Sequence, residues 1–279
     1  MKIVFIADFF ANQVAGGGEL NNEEFINICT EKGHDVEKIN SHLVTVEYLE
    51  SNLDCKFIVA NFVNLSQPCV DFLTKSAKYI IYEHDHKYLK NRNPAIFRNF
   101  LAPEKMIIYS SFYANAMAVL CQSIFHKGIV ERNLQLENIF NLGGNLWSLQ
   151  SLAKIRQFRL EPKEDKCSIL DSNVGHKNTA GAIEYCENNN LEYELIKSSD
   201  YFDFLKQLSR NKTFVFLPKT PETLSRVAVE ARMMSVSVIT TKIIGATHEP
   251  WFELKGEELI DKVESMREEI TEKVLDLLQ

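Results

Sequence analysis

The sequence predicts an α/β chain built as two doubly wound parallel sheets, and three observations carry that expectation. Short apolar runs of strand length recur along the whole chain, stretches of helical periodicity separate most of them, and a polar border near the middle divides them into two series. Alternation of this kind implies right-handed βαβ units, because a parallel neighbour is reached only through a crossover. For 279 residues, two units of roughly 120 to 150 residues each are the natural division.

The first series opens with KIVFIA, a buried-strand pattern, followed by GGGELNNEEFINICTEKG, a loop entering a helix that Gly33 stops. Strand-like runs then recur at DVEKI, KFIVANF, YIIYE, MIIYS and NIFNL. The segment NLGGNLWSLQSLAKIRQFRLEPKEDK, with its polar tail and Pro162, reads as the border, so the expected domains are 1–150 and 151–279. The second series has the strands CSIL, YELIK, TFVFLP and SVSVIT, separated by the helical stretches NTAGAIEYCENNN, YFDFLKQLSRN and TLSRVAVEARMMS. In the last segment Leu259, Val263, Met266, Ile270, Val274 and Leu277 recur at helical spacing among charges, the pattern of a helix packed on one face.

Composition narrows the classes of function. No apolar run approaches the roughly 18 residues of a membrane span, and Asp8 interrupts the opening run before a signal-peptide pattern develops, which leads us to expect a cytoplasmic protein. Six scattered cysteines without a CxxC pair support neither a disulfide framework nor a zinc finger. The net charge of -7 argues against indiscriminate nucleic-acid binding, yet it is unevenly spread. From Phe252 onward nine acids face four bases, whereas Lys87, Lys90, Arg92, Arg98 and Lys105 face Glu104 alone. Interleaved with Tyr88, Phe97 and Phe100, this basic segment is a candidate surface for a polyanion such as DNA.

Ligands of doubly wound sheets bind at the carboxyl ends of the strands, and two such sheets turned toward each other would create a cleft between domains. After the first strand, Gly16, Gly17 and Gly18 precede a helix and allow a phosphate to approach backbone N–H groups, although the spacing is not GxGxxG. YIIYEHDH ends another strand. If it stays extended, Glu83 and Asp85 share one face and His84 and His86 the other. A histidine there can orient a substrate hydroxyl or move a proton; no third ligand accompanies the pair, and no metal is expected. Lys177 stands where a helix starts at Asn178 or Thr179, suited to a diphosphate.

TPETLSRVAVEA poses the sharpest question. Thr220 fits an N-cap with Pro221 at the first helical position, which would account for Glu222 as an acid at the positive helix end. Glu230 can pair with Arg226 one turn earlier, but it lies among Val227, Ala228, Val229 and Ala231, where a carboxylate must find partners.

With these features in place, the chain resembles GT-B glycosyltransferases, most closely the large retaining Glu-x7-Glu, family 4-like group in its compact phage or viral form. The motif is Glu222 to Glu230, continued by EARMMSVSVITTKIIGATHEPW; KIVFIADFFANQVAGGGEL and CQSIFHKGIVERN resemble the opening strand with its glycine loop and a later helix entry. The resemblance covers most of the chain. It implies two Rossmann-like domains facing an interdomain cleft, and metal-independent transfer from a UDP- or other NDP-sugar to an acceptor hydroxyl, with retention. Glu230 would accept ribose hydroxyls, and Glu222 would hold the donor sugar. Lys177 and the backbone of Thr223, Leu224, Ser225 and Arg226 would hold the diphosphate together with Gly16 to Gly18, and His84 would contact the donor sugar, with His86 as the fallback. Ser172 or Asn173 stands where the family usually carries an arginine, with Arg226 or Lys219 as substitutes. A hydroxymethylated base in DNA is one acceptor class this implies, reached through the Lys87 to Lys105 segment; glycan, lipid or protein acceptors, an epimerase, and a non-catalytic nucleotide-sugar binder are the alternatives.

Overall fold

Strands buried on both faces need near-continuous apolar runs, and the centre of the first sheet is made of such runs: KFIV, YIIY and AVLC are almost fully buried. The computed structural model describes residues 1–279. Its first sheet comprises β1 (Lys2–Ala7), β2 (Asp35–Asn40), β3 (Lys56–Val59), β4 (Tyr79–Tyr82), β5 (Ala118–Cys121) and β6 (Ile139–Asn141), all parallel, in the order β2-β1-β3-β4-β5-β6. The second comprises β7 (Glu164–Leu170), β8 (Tyr193–Ile196), β9 (Asn211–Phe216) and β10 (Ser237–Thr240), also parallel, in the order β10-β9-β7-β8. Each is a doubly wound, Rossmann-like sheet, as the alternating pattern predicts.

The helices, in chain order, are α1 (Gly17–Glu31), α2 (Val46–Ser51), α3 (Gln67–Ser76), α4 (Ser110–Asn115), α5 (Ile124–Leu134), α6 (Leu149–Arg159), α7 (Thr179–Asn188), α8 (Tyr201–Ser209), α9 (Arg226–Met233) and α10 (Glu257–Leu277). Local chemistry sets several boundaries. Gly33, at φ 82°, stops α1 where the sequence places the stop, and the His34 N–H returns to the Cys29 carbonyl at 3.0 Å. Ser123, Ser148 and Asp200 each accept an N–H three residues on, at 3.1, 3.1 and 2.7 Å, starting α5, α6 and α8.

Two compact units result: Met1–Leu146 together with Arg267–Gln279, and Trp147–Met266. The final helix therefore begins in the second unit and ends in the first. Arg156 holds its early turns through Glu257 at 2.6 Å, Asp261 at 2.8 Å and Glu264 at 2.9 Å, whereas Arg267 pairs with Glu24 and Glu268 with Lys32. The first unit's core gathers Val4, Ile6, Phe57, Val59, Phe62, Tyr79, Ile81, Phe112 and Tyr113; the second has a smaller cluster around Cys167, Ile169, Ala182, Cys186 and Val215. Fully burying each large apolar side chain contributes roughly 1.5–3 kcal/mol.

Three sequence-based expectations are corrected. MIIYS is not a sheet strand: Lys90 and Ile108 exchange backbone bonds with Met106 and Tyr88 at 3.0 and 2.8 Å, and Tyr109, at φ 59°, turns the chain into α4. The strand that joins the sheet is instead AVLC, four residues whose alanine and shortness conceal it. The extended run after β4 also ends early, because His86 sits at φ 21°. Finally, Thr220 and Pro221 do not start a helix; α9 begins at Arg226 after Ser225, at φ 76°.

Candidate functional site

In each sheet the chain leaves the first strand toward one neighbour and later returns to its other side, so the switch points lie between β1 and β3 and between β7 and β9. Of the site residues expected from sequence, Gly16 to Gly18 follow β1, Lys177 follows β7 and Glu222 follows β9, whereas His84 follows β4 and Glu230 lies within α9.

In the second unit, Thr179 donates its hydroxyl to the Leu170 carbonyl at 2.7 Å, Asn178 donates to the Leu217 carbonyl at 2.7 Å, and the Lys219 N–H donates to the His176 carbonyl at 2.8 Å. These bonds fasten the loop after β7 to the loop after β9. Lys177 extends from that junction and donates to both oxygens of Glu222, at 2.8 and 3.1 Å; the ring of Phe216 lies 5.7 Å below its ammonium. The side chains of Lys177 and Glu222 are 29% and 15% exposed, so the pair is half open to a ligand. Glu222 is no helix-start acid. It lies in an extended bridge, its N–H bonded to Ile243 at 2.9 Å and its carbonyl accepting from Gly245 at 2.8 Å.

Thr223, Leu224 and Ser225 form the turn from that bridge into α9, with Leu224 buried and its carbonyl accepting from Ala246 at 3.0 Å. Ser225 stands in the left-handed region with a buried hydroxyl that has no partner. Strain of this kind persists only where the surroundings over-determine it, and it clusters at functional sites.

Glu230 finds its partners inside the chain. Its Oε1 accepts from the Trp147 indole N–H at 2.9 Å and the Tyr201 hydroxyl at 2.7 Å, and Arg226 lies 3.6 Å from the same oxygen. The Arg226 guanidinium also stacks 4.2 Å over the Trp147 ring. With Arg226 and Glu230 only 8% and 3% exposed, one side chain from the domain border and one from α8 supply the compensation that a buried carboxylate requires. Burial first, and the Glu230 charge second, push the Tyr201 hydroxyl pKa far up, so it remains a donor. Sequence reasoning missed Trp147 and Tyr201. The usable signal was the rarity of tryptophan, whose N–H needs an acceptor when buried.

The first unit brings Gly18 and His84 together: a Cβ on Gly18 would touch the His84 ring at 3.4 Å. A Cβ on Gly16 would collide with the Glu19 carboxylate, which folds back over the glycine loop and accepts from Asn61 at 3.3 Å. His84 stacks on Tyr82, its Nε2 meets Asn22 Oδ1 at 2.7 Å, and its Nδ1 meets the Gln122 amide. Desolvation, aided by the Lys87 charge, lowers its pKa to about 3. Both ring nitrogens are engaged and the ring is neutral near pH 7 in the free protein, an arrangement suited to orientation.

His86 is separate from His84. Its Nδ1 meets the Tyr88 hydroxyl at 3.1 Å and its ring stands edge-on to His126 at 5.1 Å. Burial lowers it to about 4, and the Nε2 atoms of both rings are buried without partners. Glu83 and Asp85 converge on Lys87, at 2.8 and 2.6 Å, and Glu83 also accepts from Tyr113. For Glu83, burial alone would raise the pKa, but the Lys87 charge and the Lys87 and Tyr113 hydrogen bonds hold it below the usual carboxylate range.

Lys87 is thus removed from the basic surface expected for a polyanion: it is 2% exposed and fully paired. Lys90, Arg92, Arg98 and Lys105 do lie exposed, whereas Tyr88 is buried and Phe100 packs edge-on against Phe125 at 5.7 Å. No group of three or more His, Cys, Asp or Glu side chains is placed to hold a metal, and no helix is long and apolar enough to cross a membrane.

No protein-family model matches the sequence, and no curated protein matches it significantly. Solved structures do share its architecture. A sucrose-phosphate synthase from Thermosynechococcus elongatus aligns over 99% of this chain and 98% of its own with a TM-score of 0.64 at 11% identity. An alpha-glucosyltransferase in complex with UDP and a 13-mer DNA containing a HMU base aligns over 100% and 95% with a TM-score of 0.52 at 11% identity. Anabaena HepE, in complex with UDP and glucose, aligns over 100% and 92% with a TM-score of 0.51, also at 11% identity. At these identities the likeness establishes the fold, and that fold is the two-domain GT-B architecture of glycosyltransferases.

Proposed function

We propose that the protein is a glycosyltransferase of the retaining, family 4-like kind, moving a sugar from a nucleotide-sugar donor such as UDP-glucose to an acceptor hydroxyl. The observation that carries this reading is the Lys177–Glu222 pair, half exposed at the switch point between β7 and β9, where a doubly wound sheet receives its nucleotide.

In this reading Lys177 and the turn from Thr223 to Arg226 hold the diphosphate. As the bond from the anomeric carbon to the diphosphate oxygen breaks, negative charge gathers on the departing nucleotide, and a fixed ammonium with backbone N–H groups stabilises it. Lys219, exposed beside the Lys177 loop, takes the place of the arginine the family carries, since Arg226 is already committed to Glu230 and Trp147. Glu222 holds the donor sugar. Glu230, fixed by Tyr201 and Trp147, accepts from the ribose. Gly16 to Gly18 and the neutral His84 ring, held at both nitrogens by Asn22 and Gln122, are the residues proposed on the first unit.

For the acceptor we propose DNA bearing a hydroxymethylated base. Its support is the exposed basic loop after β4 and the DNA with a HMU base bound by a protein of the same architecture. A cytoplasmic location fits such an acceptor.

Thermal shift against a panel of nucleotides and nucleotide sugars tests the reading. Ligand at a hundred times its Kd stabilises the native state by about 2.7 kcal/mol. UDP or a UDP-sugar should raise the melting temperature of the wild type, and Lys177→Ala should abolish the shift. Calorimetry should show Glu230→Ala losing donor affinity and His84→Ala keeping it while turnover falls. Absence of a shift with every nucleotide sugar would overturn the assignment.

A further inference from the structure

A diphosphate esterified at both ends, as in UDP-glucose, keeps two negative charges at every pH near neutrality. The loops after β7 and β9 do not balance them. Residues 171–178 (DSNVGHKN) and 217–225 (LPKTPETLS) carry two lysines, Lys177 and Lys219, and no arginine. Lys177 gives its ammonium to both oxygens of Glu222, at 2.8 and 3.1 Å, and Asp171 is matched by Lys197 at 3.5 Å. Arg226, the first residue of α9, is committed to Glu230 and to the Trp147 ring. Lys177, Lys219 and Glu222 therefore leave a single positive charge against the two negative ones.

His176 stands where that deficit falls. Residues Gly175–Lys177 form one tight turn, closed by the Lys177 N–H on the Val174 carbonyl at 2.9 Å. The His176 carbonyl accepts from the Lys219 N–H at 2.8 Å, so the residue sits on the seam between the two loops. It is exposed, and a Cβ on Gly175 would meet nothing within 4 Å, so the turn borders open space. Partial burial, and then the Lys177 charge, lower the pKa of the ring, while Glu222 opposes them. Lys242, on the segment beyond β10 that pairs with Glu222, gives its carbonyl to the His248 ring at 2.8 Å. In the free protein the His176 ring is thus largely neutral near pH 7, and imidazole is the side chain able to change charge in that range.

We propose that His176 is a donor-binding residue that takes a proton from solution as the diphosphate settles on Lys177, and so supplies the positive charge that the two loops lack. The inference rests on the donor site proposed above and adds one residue and one proton to it. The sign follows from linkage. With the diphosphate in place the ring holds its proton more firmly than without it, so donor affinity rises as pH falls and levels off once the free ring is charged as well.

Titration calorimetry of the full chain with UDP-glucose tests it. UDP is the wrong probe, because its terminal phosphate itself titrates at about 6. Affinity for UDP-glucose should rise roughly tenfold from about pH 8 to about pH 5.5, the factor that one opposite charge within about 4–6 Å brings to a titrating group. Near neutrality the measured heat should differ between buffers of low and high ionisation heat, in the sense of proton uptake. His176→Gln should bind at the wild type's alkaline affinity throughout, with no buffer dependence and with the melting temperature of the free protein unchanged. His176→Arg should bind in alkaline buffer as tightly as the wild type does in acid. A wild-type affinity that ignores pH, or a dependence that survives in His176→Gln, overturns the inference and leaves the donor site standing. If UDP-glucose binds at no pH, the donor assignment falls and this inference falls with it.

Discussion

Replacing Glu222 by glutamine should make UDP bind more tightly while turnover falls. In the free protein Lys177 gives its ammonium to both Glu222 oxygens, the nearer at 2.8 Å. A phosphate oxygen sharing that ammonium at the same distance and a tetrahedral angle would lie about 4.6 Å from the carboxylate oxygen. Two unit negative charges at that separation repel by roughly 3–4 kcal/mol at an effective dielectric of 20. The Lys177 side chain is 29% exposed, so solvent screening roughly halves this, leaving about 2 kcal/mol, or ~30-fold in affinity. Glutamine keeps the shape and one acceptor while removing the charge. Calorimetry with UDP should therefore show affinity rising about 10- to 30-fold. With the intact donor the variant also loses a charge-assisted bond to a sugar hydroxyl, about 1.5–3 kcal/mol, so kcat should drop roughly 10- to 100-fold. Unchanged or weaker UDP affinity would show that the Lys177–Glu222 pair does not adjoin the diphosphate.

Three further outcomes are expected. Ser225→Gly should raise the melting temperature in calorimetric scans by a few degrees, since it relieves a left-handed non-glycine residue costing about 1–2 kcal/mol and removes a buried, unpartnered hydroxyl. Acid should destabilise the first unit. His86 falls from 6.5 to about 4 on folding, so its contribution is fully present above pH 6.5 and is lost as pH drops toward 4, up to about 3 kcal/mol. His86→Phe should make the fall of the melting temperature over that window shallower, with the buried His84 and His126 rings still contributing, and an unchanged profile would remove His86 as a cause. Glu83→Gln leaves Lys87, 2% exposed, with an uncompensated share of its charge and should cost roughly 3–5 kcal/mol in urea unfolding. Loss of less than about 1 kcal/mol would mean that Asp85 suffices.

The alternation of strands and helices, the glycine that ends α1 and the start of α7 beyond Lys177 were all legible in the sequence, because each rests on a local pattern. What escaped depends on tertiary partners. MIIYS has better strand composition than AVLC, yet a turn at Tyr109 and bonds to the 88–90 loop decide against it. TPET carries the marks of a helix start, but pairing with Ile243 and Gly245 holds Glu222 extended. Glu230 was recognised as a charge in need of partners; that the partners are Trp147 and Tyr201, 83 and 29 residues earlier, no spacing rule could indicate. The basic run between Lys87 and Lys105 was read as uniform, although Lys87 belongs to a buried network and only the residues beyond it face solvent.

Because residues 267–279 count with the first unit, that unit is discontinuous along the chain and the second is set within it. During synthesis residues 147–266 are complete before the contacts of Arg267 with Glu24 and of Glu268 with Lys32 can form. The half of the protein made first is thus the half finished last. All six strands of its sheet lie within residues 2–141, but its contacts with the last turns of α10 close only after the whole of the second unit has been made. A chain ending at residue 266 should therefore lose protection from proteolysis around α1, where Glu24 and Lys32 lack their partners, while the second unit stays protected.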